Sequence, residues 1–101
     1  MTGLSGISLI VTTLNEERNL GRCLESARGA GEIIVVDSGS TDGTLRIAEE
    51  PGARVFTREF ISNADQKNWA NEKVSHPWLL SLDSDECLSP QLKTEIIRLK
   101  D

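Results

Sequence analysis

The sequence predicts an α/β fold, a parallel-stranded βαβαβαβα three-layer sandwich. Three observations carry that prediction. Short apolar, largely β-branched segments recur along the chain. Segments with helical spacing, closed by Gly or Pro, separate them. The apolar segments are not alternating, which is the pattern of strands buried on both faces. Such strands alternating with helices imply a parallel sheet covered on both sides, with right-handed crossovers.

The first strand is Ile7 to Val11, ISLIV. Asn15 offers a cap for the helix that follows, and Glu16 and Glu17 suit the positive end of its dipole. Leu20, Cys23, Leu24 and Ala27 recur at helical spacing, and GAG at 29 to 31 stops the helix. The second strand is Glu32 to Asp37, EIIVVD, ending in the small polar turn SGSTDGT at 38 to 44. A short helix from Thr44 to Glu50 ends at Pro51-Gly52, and Ala53 to Thr57 is the third strand. Asp65 to Val74 reads as a helix with Trp69, Ala70 and Val74 inward, broken by Pro77. Trp78 to Leu82 is the fourth strand. Ser89 caps a last helix with Pro90 at its first position and Leu92, Ile96 and Leu99 on one face. Both tryptophans, Trp69 and Trp78, are assigned to the core.

The 101 residues suffice for one small domain. With 38 % hydrophobic and 27 % charged residues the chain reads as globular rather than disordered. A net charge of −5 argues against binding a nucleic-acid backbone. Cys23 and Cys87 have no CxxC spacing, so they suggest neither a disulfide framework nor zinc. The N-terminus lacks a basic region followed by a long apolar run, and no segment is apolar long enough to span a bilayer.

In parallel sheets ligands bind beyond the carboxyl ends of the strands. Here those ends are Thr12–Glu16, Asp37–Asp42 and Asp83–Glu86, and each carries a carboxylate. A helix cap or a solvated turn is the plain reading of each end alone, and it is the reading for Asn15, Ser40 and Thr41; three acidic ends on one rim suggest a site. Asp83 and Asp85, at i and i+2, point the same way on an extended backbone. Two such carboxylates form a hard oxygen set suited to Mg²⁺ or Mn²⁺, with water and substrate phosphates completing the shell. Asp37 closes an apolar strand, where an acid needs a donor; a nucleobase N–H or its own turn can supply it. Lys67, in the polar cluster Gln66–Asn68, is placed to meet a phosphate or simply to be solvated. His76 is a loop residue. No GxxxxGK, GxGxxG or GxSxG pattern is present.

Taken together, ISLIVTTLNEERNLGRCLES, EIIVVDSGSTDGT, ADQKNWA and WLLSLDSDE resemble the start of a family 2 glycosyltransferase with the Rossmann-like GT-A fold. QKN followed by WLLSLDSDE also resembles the bacterial lipopolysaccharide-core β-glucosyltransferase branch. The resemblance implies an inverting transferase that uses a nucleotide-sugar, commonly a UDP-sugar, and a glycan acceptor. It implies a nucleotide pocket along Thr12, Leu14, Asn15, Glu16 and Gly39, with Asp37 accepting from uracil and Lys67 and Gln66 near the diphosphate. Asp83 and Asp85 are the implied DxD pair, with Ser84 between them: Asp83 near ribose or metal, Asp85 on the metal. It further implies that residues 1–101 are the donor-binding half, since the family's catalytic base lies well downstream. The expectations are nucleotide binding without turnover, self-association through an open sheet edge, and a cytoplasmic location, peripheral at most to the inner membrane face. The alternatives are a non-catalytic nucleotide-binding or interaction module and a haloacid-dehalogenase-like phosphatase, for which Cys87 stands where Thr or Val is required.

Overall fold

The computed structural model describes residues 4–76 and 78–100. Its elements run β1 (Ile7–Thr13), α1 (Leu20–Ser26), β2 (Glu32–Asp37), α2 (Thr44–Glu49), β3 (Arg54–Thr57), α3 (Asn63–Asn71), β4 (Trp78–Asp83) and α4 (Pro90–Lys100). All pairings are parallel and the strand order is β3-β2-β1-β4. The three-layer α/β expectation therefore holds.

The topology follows from handedness. The chain steps outward from β1 to β2 to β3, then crosses back to the far side of β1 to form β4. Right-handed crossovers then place α1 and α2 on one face and α3 on the other. The buried side chains divide that way. Leu9, Val11 and Val35 meet Leu20, Cys23 and Leu24 of α1 and Ala48 of α2 on one face. Ile10, Ile34 and Val36 meet Ala70 of α3, flanked by Phe56, Trp69 and Val74, on the other. Odd and even positions of β1 thus serve opposite layers, as the pleat requires. The reversal of strand order falls between β1 and β4, where this class of sheet opens a crevice.

Several local expectations need correction. Asn15 caps no helix: it sits at φ 51°, in the left-handed region, and α1 begins only at Leu20 with Asn19 before it. An amide side chain tolerates that conformation better than most. Trp78 is 49 % exposed because β4 is an edge strand, not a core strand. On α4, Leu92 and Leu99 are exposed, and the residues resting on the core are Ile96 and Ile97. The helix assigned to Asp65–Val74 begins earlier, where Ser62 Oγ accepts from Asp65 N at 3.0 Å. The caps read at Ser89 and the core position of Cys23 are as expected: Leu92 N donates to Ser89 Oγ, and Cys23 is fully buried. Pro77, expected to break α3, lies outside the described residues.

Candidate nucleotide and metal site

Two of the loops at the carboxyl rim, β1–α1 and β2–α2, are welded to each other. Asn15 N donates to Ser40 Oγ and Asn15 Oδ1 accepts from Thr41 N, each at 2.8 Å. Glu16 N donates to Thr44 Oγ1 at 2.9 Å, and Glu17 Oε2 accepts from Gly43 N at 3.0 Å. The Thr44 hydroxyl first, and then backbone N–H groups of Thr44 and Glu17, hold the Asp42 carboxyl below its usual range against a smaller opposing effect of burial. These polar residues are spent on architecture. They fix the β1–α1 and β2–α2 loops as one rigid shoulder.

Asp37 is fully buried within the same shoulder. Its Oδ2 accepts from Gly39 N and Ser40 N at 2.9 and 2.8 Å, and Oδ1 accepts from the Ser40 hydroxyl. This is an Asx-type turn, and Gly39 at φ 111° supplies the backbone conformation it needs. The register pairs Asp37 with Thr13, so both belong to the α1 face of the sheet.

The open part of the rim lies on the α3 face. Thr12 pairs with Val36 on one side and Asp83 on the other. A cleft of about 390 Å³ opens there, with Asp83, Ser84 and Asp85 at the β4 end and Ser38, Gln66 and Phe60 at the α3 end. Thr12, Thr13, Leu14, Glu16 and Asn63 complete its walls. Thr12 Oγ1 donates to Asp83 Oδ1 at 3.2 Å, and Ser84 N donates to Thr12 O at 3.1 Å, closing β4 onto β1. The chain then turns sharply: Glu86 N donates to Asp83 O at 2.9 Å, and Glu86 Oε1 accepts from Asp83 N at 2.7 Å. Asp85 is therefore on a turn, not on extended backbone. The two carboxylates still meet at one cleft, brought there by the turn rather than by strand alternation. Both are exposed.

Beneath this turn Cys23 Sγ donates to Asp83 O at 3.7 Å. Burial, and then the charges of Cys87 and of the acidic turn, push its thiol up to about 12. Cys23 is an inert support. Two buried side-chain atoms at the cleft have no partner among the described residues, Thr13 Oγ1 and Gln66 Oε1.

Of the residues expected at the site, Thr12, Leu14, Glu16, Gln66, Asp83, Ser84 and Asp85 line the cleft, while Asn15, Asp37, Gly39 and Lys67 do not. Lys67 is exposed on α3. Thr13, Ser38, Phe60 and Asn63 line it without having been singled out. Ser38 was within reach of sequence reasoning, as the first residue past β2; Phe60, an aromatic in a polar loop, gave a weaker signal. A second groove of about 550 Å³ lies at the opposite end of the helices, between α1 and α2, walled by Leu24, Ile33 and Ile47 with the Glu25–Arg28 ion pair. It gathers no carboxylate pair at a strand end.

A parallel sheet with its crevice at the β1–β4 switch and two exposed carboxylates at its carboxyl rim defines a Rossmann-like α/β domain. The chain belongs to glycosyl transferase family 2, whose model matches residues 8–101. It is 40 % identical over 91 residues to an uncharacterized glycosyltransferase of Rickettsia felis, covering 89 % of this chain and 32 % of that protein. It is 39 % identical over 92 residues to the lipopolysaccharide core biosynthesis glycosyltransferase LpsC of Rhizobium meliloti, covering 86 % and 34 %. Among solved structures it is similar to glucosyl-3-phosphoglycerate synthase of Mycobacterium tuberculosis in complex with Mn²⁺, UDP and glucosyl-3-phosphoglycerate. That likeness has a TM-score of 0.72 at 27 % identity and covers 90 % of this chain and 39 % of the synthase. The fold is thus that of GT-A glycosyltransferases. The chain spans about a third of the length of the curated relatives it matches. The family match sets aside the phosphatase alternative.

Proposed function

We propose that this chain binds the donor of a sugar transfer, a nucleoside diphosphate sugar of the UDP type, together with Mg²⁺ or Mn²⁺. The observation that carries the reading is the convergence of Asp83 and Asp85 on the cleft at the β1–β4 switch point. An exposed pair of carboxylates with few internal donors fits a hard divalent cation, which takes one or two protein carboxylates and leaves its other positions to water and phosphate oxygens. The similar synthase with UDP and Mn²⁺ supports the same reading.

When bound, the cation supplies Lewis acidity to the leaving diphosphate. The chain's own residues do the rest. Asp83 and Asp85 hold the charge in place, and Thr12 orients Asp83 by its hydrogen bond. The Leu14 and Glu16 wall sits on the welded shoulder, so the pocket needs little reorganisation on binding. Lys67, projecting from α3, lies near the phosphates once a donor is seated.

Transfer with inversion also needs a base for the acceptor hydroxyl. Glu16 is a poor source, since its Oε2 is held by Asn19 Nδ2 at 2.8 Å. The acceptor, a cell-envelope glycan such as lipopolysaccharide core, and the base belong to the part of the enzyme outside residues 1–101. The 101-residue chain binds donor and does not turn it over. The full enzyme works on the cytoplasmic side, where nucleotide-sugars are supplied, peripheral at most to the inner membrane. The isolated chain associates with itself through the outer edge of β4, where Trp78 and Leu79 are exposed.

Calorimetric titration of UDP, with and without Mn²⁺, tests the reading. Metal-dependent binding without release of free sugar from a UDP-sugar is expected. Binding indifferent to Mn²⁺, or sugar transfer by the 101-residue chain, contradicts it. Light scattering that shows a strict monomer at high concentration contradicts the association.

A further inference from the structure

The acidic turn at the end of β4 holds its two aspartates very differently. Asp83 has a partner of its own, the Thr12 hydroxyl at 3.2 Å. Asp85 lies on an exposed stretch, residues 85–87, and its carboxylate has no hydrogen-bond partner among the described residues. Its place is set by the backbone of the turn alone. That backbone carries Asp83, Asp85 and Glu86, acids that repel one another and favour an open turn. A hold from outside the turn is needed to keep it closed.

Helix α1 supplies that hold at both ends of the turn. At the entry Cys23 Sγ donates to Asp83 O at 3.7 Å, and at the exit Leu88 N donates to Ser26 Oγ at 2.9 Å. Cys23 and Ser26 stand three residues apart on α1 and so share one face. The two bonds are unequal, because a thiol is a weak donor and a backbone N–H a strong one. The Ser26 hydroxyl hydrogen goes to Cys23 O at 2.6 Å, which turns the oxygen's lone pairs toward Leu88. Leu88 is 6 % exposed and packs in the core, so its N–H is costly to leave without a partner. Ser26 itself is not a wall of the cleft.

We infer that Ser26 is a positioning residue for the metal site: by clamping Leu88 it keeps the acidic turn closed and sets how tightly Asp83 and Asp85 hold the cation. This rests on the proposed donor-binding reading. With the clamp released, the turn populates arrangements in which Asp85 leaves the cleft. Apparent affinity then falls by the fraction of turns that remain closed. Linkage requires the converse as well: a bound cation favours the closed turn and so strengthens the Leu88–Ser26 bond.

Calorimetric titration of Mn²⁺ into the 101-residue protein, with UDP present, tests the clamp. Ser26→Ala lowers Mn²⁺ affinity roughly fivefold, the scale of one net hydrogen bond. Ser26→Thr keeps the hydroxyl and the wild-type affinity. Ser8→Ala is the control for a purely structural loss. It removes a hydroxyl at the opposite rim, one that donates to Glu32 and accepts from His76 N, and it destabilises the fold without changing Mn²⁺ affinity. Amide exchange in the wild type gives a readout that needs no variant. Saturating Mg²⁺ with UDP slows exchange at Leu88 by roughly fivefold and leaves Ser75, at the far rim, unchanged. Wild-type Mn²⁺ affinity in folded Ser26→Ala overturns the inference. An equal loss in Ser8→Ala, or in Ser26→Thr, also overturns it, since the effect is then not that of the Ser26 hydroxyl. Should Ser26→Ala fail to fold, the exchange measurement decides, and Leu88 exchange indifferent to the cation overturns the inference. No Mn²⁺ binding by the wild type overturns the donor-binding reading and the inference with it.

Discussion

Glu32, at the start of β2, and Asp83, at the end of β4, stand at opposite rims of one sheet and are treated very differently. Glu32 accepts from Ser8 Oγ at 2.7 Å, Ser75 N at 2.6 Å, Arg54 Nη1 at 3.4 Å and Ser75 Oγ at 3.4 Å. Burial alone would raise its carboxyl, but the Ser8 hydroxyl and then Ser75 and Arg54 hold it below the ordinary range. The Asp83 carboxylate receives one donor among the described residues, the Thr12 hydroxyl, at 3.2 Å. The amino-terminal rim spends its polar groups on the fold. At the carboxyl-terminal rim Asp37, Asp42 and Glu17 are spent the same way in the shoulder, and the β4 end keeps Asp83 and Asp85 exposed. That contrast teaches where acceptors are left open: those gathered at the β4 end contribute little to the fold, which is where the proposed cation would be held.

Substitutions at the two rims should therefore have opposite signatures. The largest effect is on metal: Asp85→Asn should lower Mn²⁺ affinity by at least about tenfold, an outcome measurable by calorimetry. Its thermal midpoint should stay within a degree or two or rise, because one of two repelling acids is gone. Glu32→Gln should do the reverse, costing about 2 kcal/mol in urea unfolding while leaving Mn²⁺ affinity unchanged. A metal defect in Glu32→Gln, or a collapse of stability in Asp85→Asn, breaks the comparison.

Acid sharpens it. Because the folded-state pKa of Glu32 is below its ordinary value of 4.5, its stabilising contribution is complete above that value and is lost as pH falls through the lowered one. Wild type should lose stability over that acid window more steeply than Glu32→Gln. Parallel curves in a urea–pH series would remove Glu32 from the account. The smallest effect concerns the support beneath the acidic turn. With its thiol pushed up to about 12, Cys23 should resist iodoacetamide at neutral pH in the folded protein, whereas exposed Cys87 reacts. Mass spectrometry of the alkylated protein reads this directly; equal labelling of both contradicts the packing described.

Much of the fold was legible because β1 and β2 are buried on both faces, and such strands leave an unbroken apolar record. β4 was legible as a strand but not in its surroundings: WLL reads as core, yet Trp78 and Leu79 lie exposed at the sheet edge. An edge position is a property of topology, not of local sequence. The acids at Asp83 and Asp85 were readable from the strand-end rule. The turn that unites them was not, since it depends on Glu86 folding back to Asp83 N. Asn15 and Asp37 look like ligand groups in one dimension. The partners of Asn15, Ser40 and Thr41, become evident only when the two loops meet, whereas the turn of Asp37 onto Gly39 and Ser40 is local and was one of its two sequence readings. Gln66 shows the converse. Nothing in ADQKNWA marks its carbonyl as the one left unpaired.

The most direct test of the contrast between rims is paramagnetic broadening of amide signals by substoichiometric Mn²⁺ in the presence of UDP. The account predicts loss of signal at Asp83–Glu86 and Thr12, with UDP-dependent shifts extending to Ser38 and Gln66 and silence at Glu32 and Ser75. Broadening centred on Glu32, or spread evenly over the acidic surface, would contradict it.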